Sequence, residues 1–205
     1  MRAPDLSDKQ KWAHFKSGDE FAFSVIYSEN AKSLFQYGLK FTTNYVVIED
    51  SIQNLFSDLI RNRRTIGDTD HIRFYLLKSF RRRLLRQLNY ESRYTDKQTD
   101  ELTFEVKYSV EQDIITEEDQ QNISKRLINA IDKLSPRQKE AIYLKFTKEL
   151  DYKEISQIMD MSIEAARNLI CRAIKSLKNS IGESYNSSIL LLIFKNLKVR
   201  SIGHL

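Results

Sequence analysis

No proline interrupts the chain between Pro4 and Pro136, and only five glycines are spread over its 205 residues. Proline and glycine stop helices and shape tight turns, so a chain this poor in both favours long helices over a many-turned β architecture. The apolar pattern agrees. Ile48, Ile52, Leu55 and Leu59 recur at spacings of four, three and four, which places them on one helix face, while Asp50, Gln53, Ser57 and Arg61 fall on the others. Phe21, Ile26, Leu34 and Leu39 are expected to anchor the two helices before it. After a loop containing Gly67 a basic helix begins, with Phe74, Leu77, Leu84, Leu85 and Leu88 toward a core and its arginines on the remaining surface. The expected fold class is all-α.

Charge divides the chain. From Ile72 to Tyr90 there are six basic residues (Arg73, Lys78, Arg81, Arg82, Arg83 and Arg86) and no acidic one. From Glu91 to Gln120 the sign flips to ten acids against three bases, without sustained apolar periodicity, as expected of a solvated linker. The expected organisation is a helical domain over 1–92, an acidic flexible linker over 93–121, a second helical domain over 122–181 and an extension over 182–205. The net charge of +5 suggests a polyanion as partner, but it is the clustering of the arginines that gives this force.

The second helical domain is punctuated by helix-start signals. A helix is expected at about 122–134 (Ile123, Leu127, Ile131, Leu134). Ser135, Pro136 and Gln138 then supply an N-cap, a proline at the first helical position and the partner that completes a capping box. Asp151 and Glu154 form a second box opening a helix over 151–159, and Ser162 is the N-cap of a last helix running to about Ser180. On that helix Ile163, Ala166, Ile170, Ala173, Ile174 and Leu177 form the stripe to be buried, leaving Glu164, Arg167, Asn168, Cys171, Arg172 and Lys175 outside. The turn Asp160-Met161-Ser162 puts Asp160 where a positive φ is expected, which aspartate tolerates better than most residues.

A short helix, a tight turn and a longer helix with polar side chains near its start is the helix-turn-helix arrangement. Arginine can bond bidentately to guanine and asparagine to adenine, so Arg167 and Asn168 are suited to base edges. Arg172 and Lys175 lie further along and suit phosphates, which supply affinity and register. The same pattern also describes a helical hairpin with an ordinary charged face.

Enzyme chemistry finds little to use. His14, His71 and His204 are far apart and lack metal-ligand spacing, Cys171 is the one cysteine, and there is no phosphate-binding glycine loop. No cofactor, metal or small-molecule substrate is expected. The opening residues MRAPDLSDKQKW contain no apolar run of the signal-peptide kind, and Ile189–Phe194, the longest apolar run, is far below the roughly 20 residues of a membrane span, so the expectation is a cytoplasmic protein.

The stretch LSPRQKEAIYLKFTKELDYKEISQIMDMSIEAARNLICRAIKSLKN (134–179) resembles region 4 of sigma-70 family factors, in its Leu-Ser-Pro-Arg-Gln start, in Tyr152, Glu154 and Ile155, and in Ser162, Arg172, Ala173 and Leu177 after the turn. Independently, IEDSIQNLFSDLI (48–60) is similar to the region 2 helix that docks on RNA polymerase, and FYLLKSFRRRLLRQLNYESR (74–93) to the helices that melt the promoter and read its −10 element. Two such regions in this order, with a short linker, are the layout of the extracytoplasmic-function (group four) subfamily.

That resemblance implies partners and roles. RNA polymerase core would bind through its clamp coiled coil to Asp50, Gln53 and Phe56. Promoter DNA would be opened and read at −10 by Tyr75, Arg81, Arg82, Arg83 and Arg86, with Phe74, Phe80 and Tyr90 as further stacking candidates and the loop 62–71 holding a flipped base. The −35 element would be read by Ser162, Glu164, Arg167, Asn168, Arg172 and Lys175. An anti-sigma factor is a further implied partner. In the family the linker threads toward the polymerase active-site cleft, where its acids could mimic nucleic acid; a plain solvated tether fits equally well. SSILLLIFKNLKV (187–199) is expected as a helix packed on region 4, with a docking segment for an inhibitor as the other option.

Four residues depart from the family pattern. Arg82 stands where many members have asparagine, Asp160 where the turn has glycine, and Ala165-Ala166 where Thr-Val is common, so promoter preference does not carry over. The competing function is a stand-alone, LuxR-like helix-turn-helix regulator acting without core polymerase; it would have no use for the docking helix or the arginine-rich helix.

Overall fold

The computed structural model describes residues 6–94, 103–105, 108–110, 126, 128–181 and 197–199. They fall into two compact units, Met1–Glu101 and Leu102–Leu205.

Four helices build the first unit: α1 (Asp8–Ser17), α2 (Glu20–Gly38), α3 (Tyr45–Asn62) and α4 (Ile72–Tyr94). Local signals set their ends. Ser7 and Gln10 make a capping box that opens α1, and Gly18, at φ 100°, closes it in the left-handed conformation that glycine adopts without a Cβ clash. Asp19 accepts hydrogen bonds from the amides of Phe21 (2.8 Å) and Ala22 (3.2 Å), starting α2 at once.

The stripe on α3 is buried as expected, with Ile48, Ile52, Leu55 and Leu59 closed off from solvent, and α4 packs on it with Leu76, Leu77, Phe80 and Leu84. On α2 the buried face is Ala22, Ile26, Asn30, Leu34 and Tyr37. Phe21 is one position off that face and 64% exposed, so it is not the core anchor expected. Gly38 sits where the helices converge. A Cβ there would come within 2.8 Å of Ile48 Cγ2 and 3.1 Å of Phe80 Cζ, so the missing side chain is what allows the close approach.

The second unit begins its described helices at 128–132, inside the helix expected at 122–134. Next come α5 (Pro136–Ile142), which continues as a π-helical stretch Tyr143–Thr147, then α6 (Tyr152–Ile158) and α7 (Ile163–Ile181). The Ser135–Gln138 box and Pro136 open α5 as expected. Both α5 and α6 pack on α7.

Two corrections concern the expected linker and extension. Phe104 is 1% exposed and packs edge-on against Tyr143 at 5.7 Å, and Glu105 accepts from Lys139 Nζ at 3.2 Å. Within the acidic stretch Phe104 is therefore anchored in the second unit, while Thr103 and Glu105 beside it stay exposed. Tyr108–Val110 (β1) pairs antiparallel with Leu197–Val199 (β2), in the register Tyr108 to Val199 and Val110 to Leu197. The described end of 187–199 is thus a strand and not the helix expected; the rest of that segment lies outside the described residues. Apart from this short ladder, the regular elements of the described residues are helical, an all-α fold.

Candidate nucleic-acid interface

In the second unit, α6 and α7 form a helix-turn-helix whose ends are fixed by side chains. Asp151 Oδ1 accepts from Glu154 N at 2.7 Å while Asp151 N donates to Glu154 Oε2 at 2.9 Å. After Met159 the chain reverses at Asp160, whose φ is 53°. Met161 N then donates to the Ser156 carbonyl at 2.9 Å, and Ser162 Oγ accepts from Ala165 N at 3.1 Å, starting α7. An aspartate carries the left-handed turn, and two caps flank it.

This frame decides which face of α7 is free. Ala166, Ile170, Ala173 and Leu177 are completely buried, and the two alanines let neighbouring helices approach closely. Ile174 is half-buried and Ile163 is 39% exposed, so the buried stripe is narrower than expected. Ser162, Glu164, Arg167, Asn168, Arg172 and Lys175 are all exposed. Arg172 Nε donates to the Asn168 carbonyl at 3.3 Å, which steers the rest of its guanidinium outward.

Tyr152, at the start of α6, holds two cations over its ring: Lys145 Nζ at 4.8 Å and the Arg167 guanidinium at 5.6 Å. Lys145 also donates to the Leu150 carbonyl at 3.1 Å. Sequence reasoning places Tyr152 only within the family pattern. Its ring contact depends on how α6 crosses α7, which no local signal reports.

In the first unit the arginines of α4 are not equivalent. Arg82 and Arg86 are exposed, as expected. Arg81 is 8% exposed and so does not project from the surface, because its position on the helix turns toward the packed side. Arg83 is half-buried and pairs with Asp58 of α3, which also accepts from Arg61 at 3.3 Å. Tyr75 is half-buried, its ring 5.0 Å from that of Trp12. Of the other aromatics, Phe80 is buried in the core and Tyr90 is 57% exposed. The exposed basic and aromatic side chains that α4 offers to a nucleic acid are thus Arg73, Lys78, Arg82, Arg86 and Tyr90.

The residues expected to dock on polymerase lie along α3. Asp50 and Gln53 are exposed, whereas Phe56 is 3% exposed beneath Tyr27, the rings meeting edge-on at 4.8 Å. Gln53 and Phe56 line a groove of about 720 Å³ between α2 and α3, with Phe23, Tyr27 and Phe35 on the α2 side and Ile60 at the far end of α3. The α2 wall went unforeseen. Its only sequence signal is a surplus of aromatics in α2 beyond those its buried face needs.

Among the described residues no group of three or more His, Cys, Asp or Glu side chains gathers to hold a metal, and no helix is long and apolar enough to cross a membrane.

Residues 124–177 match the family model for sigma-70 region 4. In fold, the chain is similar to CnrH, solved in complex with the cytosolic domain of CnrY, with a TM-score of 0.56 at 16% identity over 85% of this chain and 96% of that one. The sigma factor RpoE in complex with the anti-sigma factor NepR from Bartonella quintana matches with a TM-score of 0.49 at 15% identity, over 82% of this chain and 96% of that one. No curated protein matches the chain in sequence.

Proposed function

We propose that the chain is a sigma-70 family member of the extracytoplasmic-function kind, which binds RNA polymerase core and directs it to promoters; the match of residues 124–177 to the region 4 model supports this. The observation that carries this is the free polar face of α7, with Arg167, Asn168, Arg172 and Lys175 presented by a doubly capped helix-turn-helix within the matched segment. The fold likeness to CnrH spans both units, which favours a two-part factor over a regulator built from 122–181 alone.

Each part then has a task. The α7 face enters the major groove at −35, where Arg167 and Asn168 meet base edges and Arg172 and Lys175 meet phosphates. In the first unit, Arg82 and Arg86 attract the opened strand, Tyr90 and Tyr75 offer stacking surfaces, and the loop between α3 and α4 takes the flipped base. Arg83 acts through its pair with Asp58, and Arg81 acts from within the fold, rather than as free phosphate contacts. Asp50 and Gln53, exposed on α3, dock on the clamp coiled coil, with the groove that Gln53 and Phe56 line beside them. An anti-sigma factor is the regulatory partner that the sequence resemblance implies. The reading involves no catalytic residue and no cofactor.

Pull-down of core RNA polymerase by the full chain, followed by run-off transcription from a cognate promoter, tests the reading. Binding to core together with promoter-dependent transcripts is expected. Failure to bind core, with tight sequence-specific duplex binding by the free chain, would instead identify a stand-alone regulator.

A further inference from the structure

The first helix has no task in the proposed function, yet three of its side chains reach the segment between α3 and α4. Asp8, Trp12 and Lys16 are spaced four and four and so share one face of α1. Trp12 Nε1 donates to the Gly67 carbonyl at 3.0 Å. Lys16 Nζ donates to Asp68 Oδ1 at 2.5 Å. Asp8 Oδ2 accepts from Ile72 N at 2.9 Å, across 64 positions of sequence, and so satisfies an amide at the first residue of α4.

These contacts grip the loop at its apex and at its exit. Its entry is held separately, by Thr65 N and Ile66 N donating to the Asn62 carbonyl at 2.9 and 3.0 Å. Trp12 is 1% exposed, so its indole N–H cannot turn to water without opening the fold, and the Gly67 carbonyl is located by the cost of leaving that donor unpaired. The same ring packs on Tyr75, one turn into α4. Lys16 and Asp68 form a pair whose Asp68 side chain is 88% exposed, and such pairs add little to global stability. Its effect is to fix where the loop lies.

We propose that α1 is the positioning element of the base-reading loop, with Asp8, Trp12 and Lys16 holding residues 67–72 in the one conformation that discriminates bases in the opened strand. This rests on the −10 role proposed for the first unit. None of the three is a catalytic residue or a direct DNA contact; they act through the loop. Phosphate attraction by Arg82 and Arg86 is indifferent to sequence, so loosening the loop lowers discrimination while leaving general affinity in place.

The test uses the full chain bound to core polymerase and a set of single-stranded deoxyoligonucleotides that vary one base at a time. Trp12→Phe keeps a ring in the core and removes the donor. It is expected to speed amide hydrogen exchange at Gly67–Ile72 and to reduce the ratio between preferred and disfavoured bases by about fivefold, as loss of one hydrogen bond allows. Average affinity and its salt dependence stay unchanged. Asp8→Ala and Lys16→Met carry the same test should Trp12→Phe lose its helical circular dichroism. Folded variants that discriminate as well as wild type, or that weaken every oligonucleotide equally, overturn the proposal. A wild-type complex that shows no base preference overturns the −10 reading itself, and the proposal with it; that result is seen without any variant and so is distinct from failure of the bracing alone.

Discussion

The Arg167 guanidinium lies 5.6 Å from the centre of the Tyr152 ring, so the first helix of the helix-turn-helix touches the principal base-reading candidate of the second. A guanidinium over an aromatic face is attracted by the ring quadrupole and loses part of its rotamer freedom before DNA arrives. Arg167→Glu should therefore weaken binding to a −35 duplex by at least about fivefold, since a bidentate base contact is worth about 1–3 kcal/mol, while core-polymerase binding is unchanged. Fluorescence anisotropy on the duplex and a parallel pull-down check both halves. Equal loss of both would show that α7 does not read DNA.

The unequal placement of the α4 arginines leads to opposite outcomes for neighbouring substitutions. Arg82→Ala and Arg86→Ala remove exposed charges, so stability should stay within about 0.5 kcal/mol of wild type. Each should also flatten the salt dependence of single-strand binding by about one unit of slope for every phosphate that is no longer neutralised. Arg81→Ala removes a buried side chain and should lower stability by about 1–3 kcal/mol. Urea denaturation and salt titrations of oligonucleotide binding separate the two classes.

Gly38→Ala introduces a methyl group 2.8 Å from Ile48 Cγ2 and 3.1 Å from the Phe80 ring, both side chains of a closed core. The general gain in helix propensity is outweighed by overpacking, and a net loss of about 1–3 kcal/mol is expected. A lower midpoint in thermal or urea unfolding, with the helical spectrum intact, is the readout.

Lys40 is 1% exposed, its Nζ has no hydrogen-bond partner, and burial pulls its pKa down to about 8 from 10.5. Below about pH 8 the folded state carries the full cost of a buried ammonium. Between about pH 8 and 10.5 the unfolded chain holds this proton more tightly than the folded one, so stability contributed at this site rises with pH across that window. Lys40→Met should consequently stabilise the protein at pH 7, by on the order of 3 kcal/mol at most, and the advantage over wild type should shrink toward pH 10. Melting temperatures of the two proteins measured side by side from pH 7 to 10 give the comparison. An advantage that does not change with pH would show that Lys40 is not desolvated in solution.

Much of the architecture could be read from residues that act over one or two helical turns. The α3 stripe, the Ser135 and Asp151 capping boxes, the positive φ at Asp160 and the exposed polar face of α7 all follow from local spacing and local hydrogen bonds, and each stands where expected. What misled was also local. Phe21 is apolar and helical but one position off the buried face of α2, and Ile163 lies at the edge of its stripe, where hydrophobicity alone does not say whether a neighbour covers it.

The sequence by itself determined the buried face of α3, the capped starts of α5, α6 and α7, the turn at Asp160 and the concentration of positive charge on α4, because those depend on backbone propensity and on side chains within reach of their own helix; it did not show that Phe21, Ile26 and Leu34 lie on one helix, α2, with α1 before it. Tertiary structure alone decided which of those charges are free. Arg81 is turned into the fold, Arg83 is tied to Asp58 and Arg82 is left to solvent, although the three are consecutive in a single arginine run. Packing of α4 against α3 makes that choice, since a helix turns about 100° per residue and only contact with another helix says which direction is inward. The grip of Asp8, Trp12 and Lys16 on a loop some fifty to sixty-four positions away has the same origin: chain-distant groups become partners only when the fold brings them within hydrogen-bond reach.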